Sequence, residues 1–132
     1  MKEIIKNDVI LARHITLEDI KDGLNFYSND EEFIQIGAWK YNKDKELLAH
    51  IHNKVERTIN KTYEVLYVIT GSIEATIYTL EAEKTETLIV NSGEILVLLE
   101  SGHGYKILSD DTRVLEIKNG PYLGAEIDRF RI

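Results

Sequence analysis

From about residue 33 onward, β-branched and aromatic residues alternate with polar ones in short runs separated by turn signals. The alternation predicts strands over 8–13, 33–40, 46–54, 63–70, 73–80, 86–90, 95–99, 104–108 and 113–118. Between them lie the breaks YNKDK, INKT, TGS, EAEK, NSG, ESG and SDDT. In EVLYVIT, residues Glu64, Leu66 and Val68 share one face and Val65, Tyr67 and Ile69 the other. Both faces are apolar enough to be covered, and ILVLL behaves alike, so these strands belong inside a two-layer structure or one that dimerises through a sheet face. One helix is expected, over 16–24, where Thr16 caps, Asp19 completes a capping-box spacing and Gly23 ends it. Many short strands with so little helix point to an all-β sandwich or barrel, since an open sheet of this size would leave edges to hide.

Composition narrows this to a single domain. A chain of 132 residues, 43% apolar and 30% charged, can bury one real core and is too short to divide comfortably into two. Its net charge of −7 and pI near 5.1 argue against a nucleic-acid partner, because neutralising phosphates takes clustered Lys and Arg. The longest apolar run, 95–99, is far short of the roughly 20 residues needed to span a bilayer, so no membrane partner is expected. The opening MKEIIKNDVILARH interrupts any would-be leader core with charge. With no cysteine in the chain, the expected home is the cytoplasm, and a metal site would have to use His, Asp, Glu or backbone oxygen. Serine-elbow, phosphate-loop and dinucleotide-binding signatures are all missing.

Candidate chemistry gathers around three of the four histidines. His50 and His52 are one residue apart, so on a strand both imidazoles project from the same face and can share a cation. Glu64 opens the following strand, Gly71 closes it in a sharp turn, and His103 comes later in SGHGY. Taken singly, each histidine is an ordinary strand residue; the joint pattern carries the weight. His14 stands outside it and reads as a surface residue. Trp39, Tyr41 and Tyr105 are candidates to line a cavity, although strand aromatics more often fill a core.

This arrangement resembles the cupin superfamily, whose first motif runs Gly, His-x-His, Glu, Gly and whose second runs Gly, Pro-x-Gly, His. The matching residues are His50, His52, Glu64 and Gly71, then Gly93, Gly102 and His103, within a span of roughly 33–118. Eleven residues separate His52 from Glu64, more than the motif usually holds, and Leu99 stands where the motif has proline. Glu56 meets the shorter spacing but has Tyr63 where the following glycine belongs, so Glu64 is preferred, with Glu56 and Arg57 overhanging the mouth. The C-terminal tail, 119–132, resembles those of small bacterial cupins; Lys118, Tyr122, Asp128 and Arg129 are candidates to cover the barrel mouth or a dimer partner.

The resemblance implies a cupin-type double-stranded β-helix, a jelly-roll barrel with one short N-terminal helix, in which His50, His52, Glu64 and His103 hold one divalent transition metal. Three imidazoles and one carboxylate suit Fe, Mn, Ni or Zn and leave a position open for a small-molecule substrate or ligand. An oxygenase, isomerase or lyase acting on a sugar derivative or oxo acid is the expected activity. The alternatives are a ligand-binding or sensor barrel without turnover and a metal-free sugar-modifying enzyme. In the latter, His52 or His103 would be the base and Tyr105 or Tyr67 the acid. A homodimer is expected in each case.

Overall fold

A computed structural model describes all 132 residues. Two strands, β1 (Lys2–Lys6) and β2 (Val9–Ile15), precede a single 3-10 turn at Leu17–Asp19. A small hairpin follows, β3 (Gly23–Phe26) with β4 (Gly37–Lys40). After a long irregular segment come β5 (Glu64–Thr70), β6 (Ser72–Tyr78), β7 (Lys84–Asn91), β8 (Ile95–Leu98), β9 (Gly102–Ile107) and β10 (Arg113–Lys118). One turn of helix, α1 (Ala125–Asp128), sits near the C-terminus. The strands form three antiparallel sheets, ordered β1-β2-β8-β5-β10, β7-β6-β9 and β3-β4.

Period-two alternation decides what each sheet buries. Leu66, Val68, Leu96 and Leu98 of the five-stranded sheet meet Ile73, Ala75, Ile77, Leu88 and Val90 of the three-stranded sheet in one cluster. Burying such side chains stabilises the fold by about 1.5–3 kcal/mol each. The opposite face of the five-stranded sheet carries Ile15, Val65, Val97 and Leu99, which segment 27–36 covers with Tyr27, Phe33, Ile34 and Ile36. Arg13 fastens that cover. Only 2% exposed, it donates to Glu3 at 2.8 Å and to Glu32 at 2.6 Å, tying β1 and the covering segment to β2. Both faces of EVLYVIT are thus used, as the alternation predicts, although Tyr67 and Ile69 on the outer face remain partly open. The turn after β5 needs glycine: Gly71 has φ +78°, and a Cβ there would lie 2.9 Å from the Thr112 Cα.

Several expectations are corrected. The helix over 16–24 is a 3-10 turn of three residues. Asp19 does accept from the Thr16 N–H at 2.8 Å and from its hydroxyl at 2.9 Å. Leu17, Ile20 and Leu24, which would share one face of that helix, find too little to pack against, with Leu17 62% and Leu24 49% exposed, and so short a helix does not persist unsupported. Strand 33–40 shortens to β4 because Phe33, Ile34 and Ile36 turn inward as a cover. The strand predicted over 46–54 does not form, and residues 41–63 pair with no sheet. Its alternation has no second layer to face: Leu48 is 90% and Ile51 94% exposed. Strands β1 and β3 were not anticipated. No hydrogen-bonded ladder joins the sheets into a closed barrel. No helix is long and apolar enough to cross a membrane.

Candidate functional site

Polar residues break the apolar inner surface at one end of the two facing sheets. Glu64 starts β5 on the same face as Leu66 and Val68, and is 5% exposed. In register it lies beside Lys118 of β10, while Glu116 lies beside Leu66, so both β10 side chains share the inward face. The three-stranded sheet contributes from the other side. On β9, His103 pairs with Ile77 and Tyr105 with Ala75, two core positions of β6, which turns both rings inward.

The five side chains converge. The Glu64 carboxylate is 3.3 Å from the Lys118 ammonium and 3.6 Å from His103 Nε2, and it accepts a long hydrogen bond from the Tyr105 hydroxyl at 3.4 Å. Lys118 also pairs with Glu116 at 2.9 Å. The His103 and Tyr105 rings stack with centroids 5.2 Å apart. His103 Nδ1 is enclosed and has no hydrogen-bond partner.

This packing sets protonation. Burial, reinforced by the neighbouring Glu116, raises the Glu64 carboxyl above the usual carboxylate range against the pull of Lys118. Hydrogen bonding to Lys118 holds Glu116 down, and the same contact raises Lys118. His103 is lowered by burial first and then by Lys118 and Arg129, so its neutral imidazole is favoured. Tyr105 is raised by the burial of its hydroxyl and by Glu64, which keeps its proton in place as a donor. A neutral base, a held donor and a carboxyl of raised pKa thus share one recess.

The remaining sequence candidates lie elsewhere. His50 and His52 stand in the exposed stretch 41–62 as an edge-to-face pair with ring centroids 4.9 Å apart. Glu56 and Arg57 belong to the same segment, with Arg57 bordering a shallow cleft beside Glu32 and Phe33. Trp39 is 62% exposed on the β4 side of the hairpin, and Tyr67 points from the outer sheet face. His14 is tied to Glu94 at 2.8 Å. As donors for a metal, the predicted four do not fit together: no group of three His, Asp or Glu comes within reach of one ion. Of that set Glu64 and His103 are neighbours between the sheets, and His50 and His52 are neighbours apart from them.

Beside the recess opens a cleft of about 450 Å3, bordered by Glu116 and Lys118 and by the tail residues Asn119, Tyr122, Asp128 and Arg129. No family model, curated protein or solved structure matches this chain. Of the residues at this site, Lys118, Tyr122, Asp128 and Arg129 had been expected at the mouth, whereas Glu116 and Asn119 had not. A signal for Glu116 existed: in RVLEIK it shares a face with Val114, where an inward row should be apolar.

Proposed function

We propose that the protein is a cupin-type jelly roll whose recess takes a small oxygen-rich molecule, a sugar derivative or an oxo acid, and moves a proton on it. The observation that carries this reading is the meeting of His103 and Tyr105 from one sheet with Glu64 and Lys118 from the other. Five- and three-stranded antiparallel sheets facing a single core support the jelly-roll part.

In this reading neutral His103 accepts the proton from a carbon next to a carbonyl. The electron pair of the broken C–H bond moves into a new C=C bond, and the carbonyl oxygen becomes an enolate. The Tyr105 hydroxyl hydrogen-bonds that oxygen as its charge grows, and the Lys118 ammonium offsets the charge. Where the carbon that lost its proton bears a hydroxyl, return of the proton from His103 to the neighbouring, former carbonyl carbon, with the hydroxyl proton passing to the enolate oxygen, completes an isomerisation. The test incubates the protein in D2O with a panel of keto sugars and short 2-oxo acids and follows deuterium at the carbon beside the carbonyl by NMR. The account expects incorporation that falls by about 10²–10⁴-fold in His103→Asn. Equal incorporation in that variant would overturn it, and saturable binding with no incorporation would leave a sensor barrel instead.

A second reading, a site for Fe, Mn, Ni or Zn, keeps one observation in its favour. Glu64 and His103, half of the expected ligand set, already stand 3.6 Å apart, while the segment bearing His50 and His52 has no strand pairing to fix it elsewhere. A metal there would supply Lewis-acid polarisation of a substrate oxygen. Elemental analysis of tag-free protein decides between the readings: about one equivalent of metal, lost in a His50→Ala, His52→Ala double variant, favours the metal. A homodimer belongs to the proposal as well, with the exposed outer-face row of Tyr67, Ile69, Leu115 and Ile117 as its support. Sedimentation of a clean monomer would remove it.

A further inference from the structure

The cleft beside the recess contains a cation without a partner. Of its charged side chains, Glu116 and Lys118 neutralise each other at 2.9 Å, and Asp128 accepts from the Thr62 hydroxyl at 2.9 Å. Arg129 hydrogen-bonds only through its backbone N–H, to the Ala125 carbonyl at 3.2 Å. The Arg129 guanidinium borders this cleft and meets no carboxylate, in a chain with 23 acidic residues against 16 Lys and Arg. Arg129 is close enough for its charge to depress protonation of His103. Lys118 has donors to spare, since an ammonium offers three and Glu64 and Glu116 take two.

The tail that carries Arg129 is fastened at both ends. The Asn119 side chain accepts from the Tyr63 N–H at 2.7 Å and donates to the Lys61 carbonyl at 2.8 Å. At the far end Asp128 meets Thr62, and Ile132 lies over Gly102, its Cδ1 3.2 Å from where a Cβ would stand. These fastenings hold the guanidinium beside the mouth of the recess.

We propose that the C-terminal tail is an anion-recognition arm, in which Arg129 with Lys118 binds the carboxylate or phosphate group of the molecule whose reacting carbon lies at His103 and Tyr105. The placement of the reacting carbon rests on the acid-base reading above; the anion site itself does not. A guanidinium fork matches either group in a two-point hydrogen bond, which gives orientation as well as affinity. Held at Arg129, the molecule has its uncharged end toward the recess. The Asp128 charge works against the anion, so removing that charge while keeping an oxygen to accept from Thr62 should strengthen binding.

The test uses the whole chain, titrated separately with inorganic phosphate and with pyruvate, and follows the Arg129 Nε–H and His103 ring signals by NMR. The account expects saturable movement of both signals with at least one anion. R129Q should weaken binding about tenfold, R129K less because the charge stays and the fork is lost, and D128N should tighten it. R131Q serves as the surface control and should bind like the parent, and a thermal melt of each variant checks the fold. Saturation by pyruvate alone assigns a carboxylate, and by phosphate alone a phosphorylated molecule. Unchanged binding in R129Q, or no saturation with either anion, overturns the proposal. His103→Asn should still bind the anion while losing deuterium exchange; anion binding by the parent protein with no deuterium exchange, or exchange undiminished in His103→Asn, would sink the acid-base reading alone.

Discussion

Glu64 and His103 reach their places through strand registers, whereas His50 and His52 ride on a segment that pairs with no strand. On β5 the direction of Glu64 is fixed by Leu66 and Val68, two and four residues along, and on β9 that of His103 and Tyr105 by their cross-strand partners Ile77 and Ala75. Spacing of two residues brings the loop imidazoles together as well, to 4.9 Å, but no strand pairing ties that pair to the sheets. Spacing therefore makes a pair in either region, and burial makes a site in only one of them.

The comparison breaks most visibly in stability. Leu66→Ala, deep between the sheets, should cost about 2–5 kcal/mol in urea unfolding. A cost under 1 kcal/mol would mean that the two sheets do not share this core. Next in size is Arg13→Ala, which leaves Glu32 facing the covered surface without its cation. With Glu3 partly exposed and therefore screened, about 2 kcal/mol is expected, together with faster proteolysis of segment 27–36.

Glu64→Gln sharpens the contrast through pH. Because the folded protein holds the Glu64 proton more tightly than the unfolded chain does, Glu64 lowers stability as pH rises above the usual carboxylate value of 4.5. The glutamine variant should accordingly show a flatter stability curve from pH 4.5 upward. A variant less stable than the parent at pH 8 would mean that the Lys118 contact outweighs burial. The smallest effect belongs to the loop: Ile51→Ala, at a side chain 94% exposed, should change stability by less than about 0.5 kcal/mol. A larger loss would show that the segment docks on something in solution.

Sequence alternation was legible where a strand has apolar layers to face. It located β2, β5, β6, β7, β8, β9 and β10 to within a residue or two and gave the inward row of Glu64, Leu66 and Val68. It failed at 46–54, where Leu47, Leu48 and Ile51 look like a strand's apolar complement but have nothing opposite them. The helix over 16–24 failed for a related reason: its cap is real, but the stripe it should bury is open to solvent. Glu64, His103 and Tyr105 could be named in advance because they lie on regular strands. The meeting of Glu64 with His103 was expected from the family resemblance, but the part that Glu116 and Lys118 play beside them was not, because it depends on the pairing of β10 with β5, a long-range register that local pattern does not encode. The covering role of 27–36 and its fastening by Arg13 were hidden for the same reason.

The central claim is that the recess holds His103 neutral between its two sheets, ready to take a proton. Its most direct test is an NMR pH titration of the histidine rings, with the His103 signal assigned by its absence in His103→Asn. Burial and the Lys118 and Arg129 charges predict that His103 titrates below the ordinary imidazole value of 6.5. Folded stability would then fall as pH drops below 6.5, since the unfolded chain takes up that proton first. A His103 ring that titrates at or above 6.5 would contradict the account, because the imidazole would then be charged where the chemistry needs it free.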